Sequence, residues 1–154
     1  MALEIERKYL VKDYSYREKS TEKHHLVQAY LSLNPDATVR IRISDEKAWV
    51  TIKSRNRGAV RNEWEYPIPV GDARQMLELC QGGVLSKWRY IVPSGNHNWE
   101  IDEYEGKLAP LVVAEIELGG ENEVFEKPEF IGREVTGNPE YYNSSLISRK
   151  PEIE

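Results

Sequence analysis

The chain has 154 residues, 40% of them hydrophobic and 31% charged, with a net charge of -5. That length and mix fit one domain, residues 1–154, with a real core, and they exclude a disordered or collagen-like chain. The acidic balance argues against a nucleic-acid partner held by many phosphate contacts, and a single cysteine, Cys80, excludes an internal disulfide and suits a reducing, cytoplasmic setting.

The N-terminus, Met1-Ala2-Leu3-Glu4, has neither the basic nor the apolar stretch of a signal peptide, and no apolar run reaches membrane-spanning length. Leu3 to Val11 alternates as a strand, with Leu3, Ile5, Tyr9 and Val11 on one face and Glu4, Glu6 and Lys8 on the other. Lys12 to Glu22 is polar and breaks the pattern, as a loop or short helix does. Leu26 to Leu33 reads as a second strand, ended by the turn signal Asn34-Pro35-Asp36. Thr38 to Ile43 sets Val39, Ile41 and Ile43 against Thr38, Arg40 and Arg42. Ala48 to Arg55 sets Ala48, Val50 and Ile52 against Trp49, Thr51, Lys53 and Arg55, and Ser44 to Lys47 joins the two as a hairpin.

After Gly58, Arg61 to Ile68 groups Arg61, Glu63 and Glu65 on one face before Pro67 and Pro69 end the strand. Asp72 to Gln81 is the best helix, with an apolar stripe of Met76, Leu77, Leu79 and Cys80 and a stop at Gly82-Gly83. Leu85 to Val92 is a strand carrying Lys87 and Arg89 on one face. A turn over Pro93-Ser94-Gly95-Asn96 leads to Asn98 to Tyr104, where Glu100 and Asp102 oppose Trp99 and Ile101. Leu111 to Leu118 sets Val113, Glu115 and Glu117 against Ala114, Ile116 and Leu118. Glu121 to Gly132 reads as loop or short helix, and Pro139 to Ser148 as a closing helix with Asn138 near its start. About eight strands with two or three helices make a mostly antiparallel α+β or barrel arrangement.

The signs on the polar face are segregated by strand. Glu4 with Glu6, Glu63 with Glu65 and Glu115 with Glu117 are acidic doublets; Arg40 with Arg42 and Lys87 with Arg89 are basic ones. Like charges two residues apart on one strand face repel, and an ordinary solvated face gains from mixing them. Two readings stand open at this point: the wet face of a sheet, or the lining of a closed barrel. In a barrel, clustered carboxylates suit Mg²⁺, Mn²⁺ or Ca²⁺, and clustered arginine and lysine suit phosphate oxygens. A metal-bound polyphosphate satisfies both.

Glu4-Ile5-Glu6-Arg7-Lys8 forms an ExExK motif. It is followed in order by Gln28-Ala29-Tyr30-Leu31, Arg40-Ile41-Arg42, Thr51-Ile52-Lys53, Arg61-Asn62-Glu63-Trp64-Glu65, Lys87-Trp88-Arg89, Trp99-Glu100-Ile101-Asp102, Ala114-Glu115-Ile116-Glu117 and Gly132-Arg133-Glu134-Val135-Thr136. This series resembles the CYTH superfamily, the triphosphate tunnel metalloenzymes. The resemblance implies an eight-stranded antiparallel β-barrel, a tunnel with a charged interior and a few helices packed outside. It implies triphosphate ligands at Lys8, Arg40, Arg42, Lys53, Arg61, Lys87 and Arg89, with Arg133 at the tunnel mouth. It implies metal ligands at Glu4, Glu6, Glu63, Glu65, Asp102, Glu115 and Glu117, and catalytic roles for Glu4, Glu6, Lys8, Lys53 and Lys87.

The activity this implies is Mg²⁺- or Mn²⁺-dependent hydrolysis of inorganic tripolyphosphate, with nucleoside and thiamine triphosphates as further substrates. An adenylyl cyclase of class IV type and a non-catalytic polyphosphate- or nucleotide-binding module are the alternatives. The partner is a triphosphate-containing small molecule, not nucleic acid or membrane, and exposed strand or helix surfaces leave room for a homodimer. His24, His25 and His97 show no zinc-site spacing, and Trp49 shares a face with Lys53.

Overall fold

The computed structural model describes residues 3–148; Met1, Ala2 and residues 149–154, the two ends of the expected domain, lie outside the described residues. The strands are β1 (Leu3–Val11), β2 (Glu22–Ser32), β3 (Ala37–Ser44), β4 (Lys47–Ser54), β5 (Val60–Ile68), β6 (Gln81–Ser94), β7 (His97–Tyr104), β8 (Val112–Glu117) and β9 (Ile131–Glu134). Three short helices accompany them: α1 (Tyr16–Lys19), α2 (Val70–Leu77) and α3 (Asn143–Leu146).

The strand order is β5-β4-β3-β2-β6-β7-β8-β1, and β1 closes back on β5 through Leu3↔Asn62, Glu4↔Arg61 and Ile5↔Val60. Every pairing is antiparallel, so the expected eight-stranded barrel is present. Closure leaves the eight strands no open edge along the β1–β5 seam, and β9 adds a ninth strand beside Tyr9 and Val11 of β1. The β3–β4 hairpin turns in two residues, with Asp45 in the left-handed region at φ 54°, a conformation that aspartate tolerates better than most residues.

Period-two alternation sorts the side chains. On the outer wall of β1, β6, β7 and β8, Tyr9, Tyr90, Trp99, Ile101, Ala114 and Ile116 pack beneath Tyr16 of α1 and Phe130, which precedes β9. On the outer wall of β3 and β4, Ile41, Ala48 and Val50 are covered by Ala73 and Met76 of α2. A third cluster lies on the inner face at one end: Tyr30, Leu85, Tyr104 and Val113 join Leu146 and Ile147 from the α3 region. These share strand parity with Gln28, Lys87, Asp102 and Glu115. One end of the barrel is therefore stoppered by apolar side chains, and the charged lining occupies the remainder.

Several boundaries differ from the sequence reading. The helix expected over Asp72 to Gln81 runs Val70–Leu77, starting after Pro69 with no side-chain cap. It ends early because Gln81 already pairs with Tyr30, so the β2–β6 ladder wins over the helical stripe, and Gly82 and Gly83 carry the chain through at φ 79° and 96°. Strand β6 consequently runs 14 residues and takes in Pro93 and Ser94, so the turn expected over Pro93-Ser94-Gly95-Asn96 is made by Gly95-Asn96 alone. The region read as loop ends in β9. The closing helix is broken in two: Pro139–Tyr141 forms a 3-10 turn with Asn138 accepting from the Glu140 amide at 3.1 Å, extended Tyr142 interrupts it, and α3 follows. Trp64 faces outward and is 41% exposed.

Phe130 is fully buried with its ring 5.8 Å from that of Tyr16. Phe130→Ala opens a cavity under the outer wall, and its expected cost is about 3–5 kcal/mol, measured by urea denaturation.

Candidate active site

The end of the barrel opposite the apolar stopper is a funnel of about 1110 Å³ that narrows to an inner chamber of about 150 Å³. Arg42, Glu65, Arg89, Glu100 and Glu117 line both spaces. The chamber adds Glu4, Glu6, Lys8, Arg40, Lys53, Arg61, Glu63, Glu115 and Asn143, so all its lining side chains are polar. At the funnel rim, His24 lies 3.1 Å from Glu22 and His97 lies 3.0 Å from Glu123, and Trp49 stands on the funnel wall.

Strand order partitions the signs. Glu100, Glu115, Glu117, Glu4 and Glu6 sit on the adjacent strands β7, β8 and β1; Arg40, Arg42 and Lys53 sit on β3 and β4. Glu6 lies directly across from Glu117, and Glu100 across from Glu115, pairings that repel on an ordinary sheet. Burial first, then Glu115 and Glu4, holds the Glu6 carboxyl well above the usual carboxylate range. Glu4 is raised by burial, and Glu117 by burial together with Glu4 and Glu100. Burial also opposes ionisation of Glu115, but Lys8, Arg89 and Lys87 outweigh it and hold that group well below the ordinary range.

Part of this charge is matched internally. Lys53 Nζ lies 3.4 Å from Glu4 and 3.2 Å from Glu63, Arg61 Nε lies 3.2 Å from Glu4, and Lys8 Nζ lies 3.5 Å from Glu115. Arg40 reaches Glu65 at 3.4 Å, while among the described residues its buried Nε has no hydrogen-bond partner. Among the described residues Arg42 pairs with no carboxylate. Its Nε donates to Gln28 Oε1 at 2.9 Å, which leaves the rest of the guanidinium fork for the chamber. Burial, then Arg40 and Arg89, presses the Arg42 pKa down to about 9. Surplus positive charge at Arg40 and Arg42 and surplus negative charge at Glu6 and Glu117 coexist across one chamber.

Two expected ligands lie beneath the lining. Lys87 and Asp102 are both fully buried, 2.7 Å apart, and line neither funnel nor chamber. Asp102 also accepts from Arg89 Nε at 2.8 Å and Nη2 at 2.9 Å, so both its oxygens are taken by cations. Despite burial, Arg89 and Lys87 hold it at about 2. Burial draws Lys87 down to about 7. The pair props up Arg89, which also bonds Glu100 at 3.1 Å. Arg133 is not brought to the lining. It lies on β9, outside the barrel wall, where its Nη2 donates to the Tyr141 hydroxyl at 3.4 Å.

The sequence reading passed over Glu100, Gln28 and Asn143. Glu100 shares a face with Asp102, and Gln28 shares one with the inward positions of β2, so parity carried both signals. Asn143 follows the barrel strands and had none.

Among the described residues no three carboxylate, histidine or cysteine side chains form a ready metal cluster. The donor set fits a divalent cation nonetheless. Glu4, Glu6, Glu115 and Glu117 are hard oxygen donors at one wall, and burial together with neighbouring carboxylates raises the pKa values of Glu4, Glu6 and Glu117. Asp102, with its oxygens occupied, fits less well.

Glu6 holds its proton more tightly when folded than the ordinary carboxyl at 4.5, so its ionisation opposes folding. That cost is absent below pH 4.5, grows as pH rises from there toward the folded value, and is complete above it. Glu6→Gln is therefore expected to raise the Tm of the metal-free protein at pH 7.5, with the gain disappearing at pH 4. Thermal melts in chelator at the two pH values check this.

Residues 2–149 match the CYTH domain family. An inorganic triphosphatase of Acetivibrio thermocellus is 46% identical over 149 residues, covering 96% of this chain and 94% of that protein. An inorganic triphosphatase of Nitrosomonas europaea is 32% identical over 152 residues, covering 96% and 99%. A crystal structure of an inorganic triphosphatase superposes with a TM-score of 0.67 at 29% identity, covering 96% of this chain and 99% of the other. With a charged chamber inside an eight-stranded barrel and a match along nearly its whole length, this chain belongs to the CYTH domain family.

Proposed function

We propose that this protein is a divalent-metal-dependent triphosphatase that hydrolyses inorganic tripolyphosphate to pyrophosphate and orthophosphate, with Mg²⁺ or Mn²⁺ as the metal. The observation that carries this reading is the division of the chamber. Arg40, Arg42, Lys53 and Arg89 hold positive charge against a wall of Glu4, Glu6, Glu115 and Glu117. A polyphosphate anion matches the first set, and a divalent cation on its oxygens matches the second. The relatives' activity supports the same conclusion.

The bound metal would be held by Glu4, Glu6, Glu115 and Glu117 and would supply Lewis-acid polarisation of phosphoryl oxygens. The chain's own groups do the rest. The Arg42 fork, anchored by Gln28, and Arg40 orient the phosphates through paired N–H donors. Lys53 and Lys8 place ammonium charge where negative charge grows as the phosphoanhydride bond breaks. Glu4 or Glu6 accepts a hydrogen bond from the attacking water and draws off its proton. The apolar stopper closes the far end, so water and substrate share the funnel as their way in. Lys87 and Asp102 act through Arg89.

Room in the funnel supports a second substrate. Leu26, Trp49 and Ile91 on its wall leave space for a nucleoside carried on the same triphosphate. With ATP, release of orthophosphate marks hydrolysis and cyclic AMP marks the cyclase reading.

The test is orthophosphate release from tripolyphosphate, ATP, thiamine triphosphate and pyrophosphate, each with Mg²⁺ and with Mn²⁺. Tripolyphosphate is expected to be hydrolysed fastest, with activity lost in chelator. Glu4→Gln and Lys53→Ala are each expected to lower kcat/KM by about 10²-fold or more. Turnover that survives chelator, or tight binding without turnover in either metal, would overturn the reading.

A further inference from the structure

Among the described residues, the segment after β9 contributes no strand to the barrel, yet it supplies the one uncharged side chain of the chamber wall. Asn143, the first residue of α3, lies against the chamber together with Glu4, Glu6 and Lys8. Its carboxamide oxygen accepts two hydrogen bonds, one from Lys87 Nζ at 3.3 Å and one from the Tyr104 hydroxyl at 2.5 Å. Both donors are buried, and Lys87 is itself held by Asp102 at 2.7 Å. Two donors converging on one oxygen fix the orientation of the amide. The nitrogen end makes no hydrogen bond to the protein among the described residues. It is a donor left over at the wall of a chamber already rich in cations.

The backbone around it is equally held. The Tyr141 carbonyl accepts from Lys8 Nζ at 3.2 Å, and the Tyr142 hydroxyl accepts from Asn56 at 3.1 Å. The Tyr142 ring stands 5.6 Å from Lys8 Nζ and 6.0 Å from the Arg61 guanidinium. Leu146 and Ile147 are buried in the stopper that begins just behind Asn143. Asn143 therefore marks the blind end of the chamber, on a rigid support.

We propose that Asn143 is a substrate contact, its Nδ2 donating to an oxygen of the phosphoryl group seated deepest in the chamber. The assignment rests on the triphosphatase reading above. A neutral donor at that position adds a hydrogen bond to an anion without adding charge. Bonds of this kind, made to ionised groups, are worth about 10- to 100-fold in binding.

Asn143→Asp separates this role from that of a structural anchor. The carboxylate has the same shape and still accepts from Lys87 and Tyr104, so the stopper keeps its hold. It replaces the donor by a negative oxygen facing the phosphate. The expected result is a KM for tripolyphosphate raised about 10- to 100-fold, a smaller change in kcat, and an unchanged or higher Tm. Asn143→Ala removes the donor without adding charge and is expected to raise KM about 10-fold, so it decides the matter even where the aspartate variant fails to fold. A wild-type KM in either folded variant overturns the proposal. Should the wild-type protein itself release no orthophosphate, the triphosphatase reading falls separately. Calorimetric titration of tripolyphosphate into wild type and Asn143→Asp then decides the contact: weaker binding by the variant supports it and equal binding overturns it.

Discussion

Like charges facing one another inside a closed barrel are the constraint on which the rest of this structure depends. Glu6 faces Glu117 and Glu100 faces Glu115 across adjacent strands; Glu115 is buried, while Glu117 and Glu100 open toward the funnel. No arrangement of the backbone relieves that repulsion, because antiparallel register and the period of two place those side chains together once the core faces outward. Cations relieve it, and so does a proton kept on one of the carboxyls. The barrel supplies some of the cations as Lys8, Lys53 and Arg61, yet burial, with the neighbouring carboxylates added, still holds the Glu4, Glu6 and Glu117 carboxyls above the usual range.

A complementary shortfall on the opposite wall makes the arrangement chemically useful. Arg42 has a glutamine for a partner where a carboxylate would have neutralised it, and Arg40 keeps a buried Nε without an acceptor. Had the signs been mixed strand by strand, ion pairs would have consumed both surpluses and the chamber would hold nothing. Keeping them apart costs stability in the empty protein and is recovered when an anion and a cation enter together. The same logic explains why Asp102 and Lys87 lie deeper than the lining. Paired and fully buried, they hold Arg89 in place, although burial still draws Lys87 down to about 7, and they leave the chamber wall to the groups with charge to spare.

Stability comes from elsewhere. Aromatic and aliphatic side chains on the outer wall bury against α1, α2 and the stretch before β9, and a separate apolar cluster fills one end of the bore. The barrel is thus inverted relative to a small barrel with an apolar centre: its packing lies outside, and its interior is available for chemistry. The stopper gives that interior a blind end, and the residues that form it also hold Lys8 and Lys87.

Much of this was legible in the residues themselves. Alternation in Leu3 to Val11, Thr38 to Ile43 and Leu111 to Leu118 determined which side chains share a face, since the period of two leaves no choice once a strand forms. The ordered doublets from Glu4-Glu6 to Glu115-Glu117 left a wet sheet face and a charged barrel lining both open, and the family resemblance of the whole motif series pointed to the triphosphate. Even Glu100 and Gln28 carried the right parity. Depth along a strand was not legible: Lys87 and Arg89 share a face, yet the first lies under the floor and the second on the wall, because neighbouring strands and the stopper set how far water reaches. The placement of residues outside the alternating strands was equally hidden. Arg133 left the site when β9 added itself outside the barrel, and Asn143 entered it when a broken helix folded across the bore. Local pattern determines a side chain's face because it is a property of one strand. Only the tertiary structure decides its depth, its partners and its access, because these belong to the closed barrel and what plugs it.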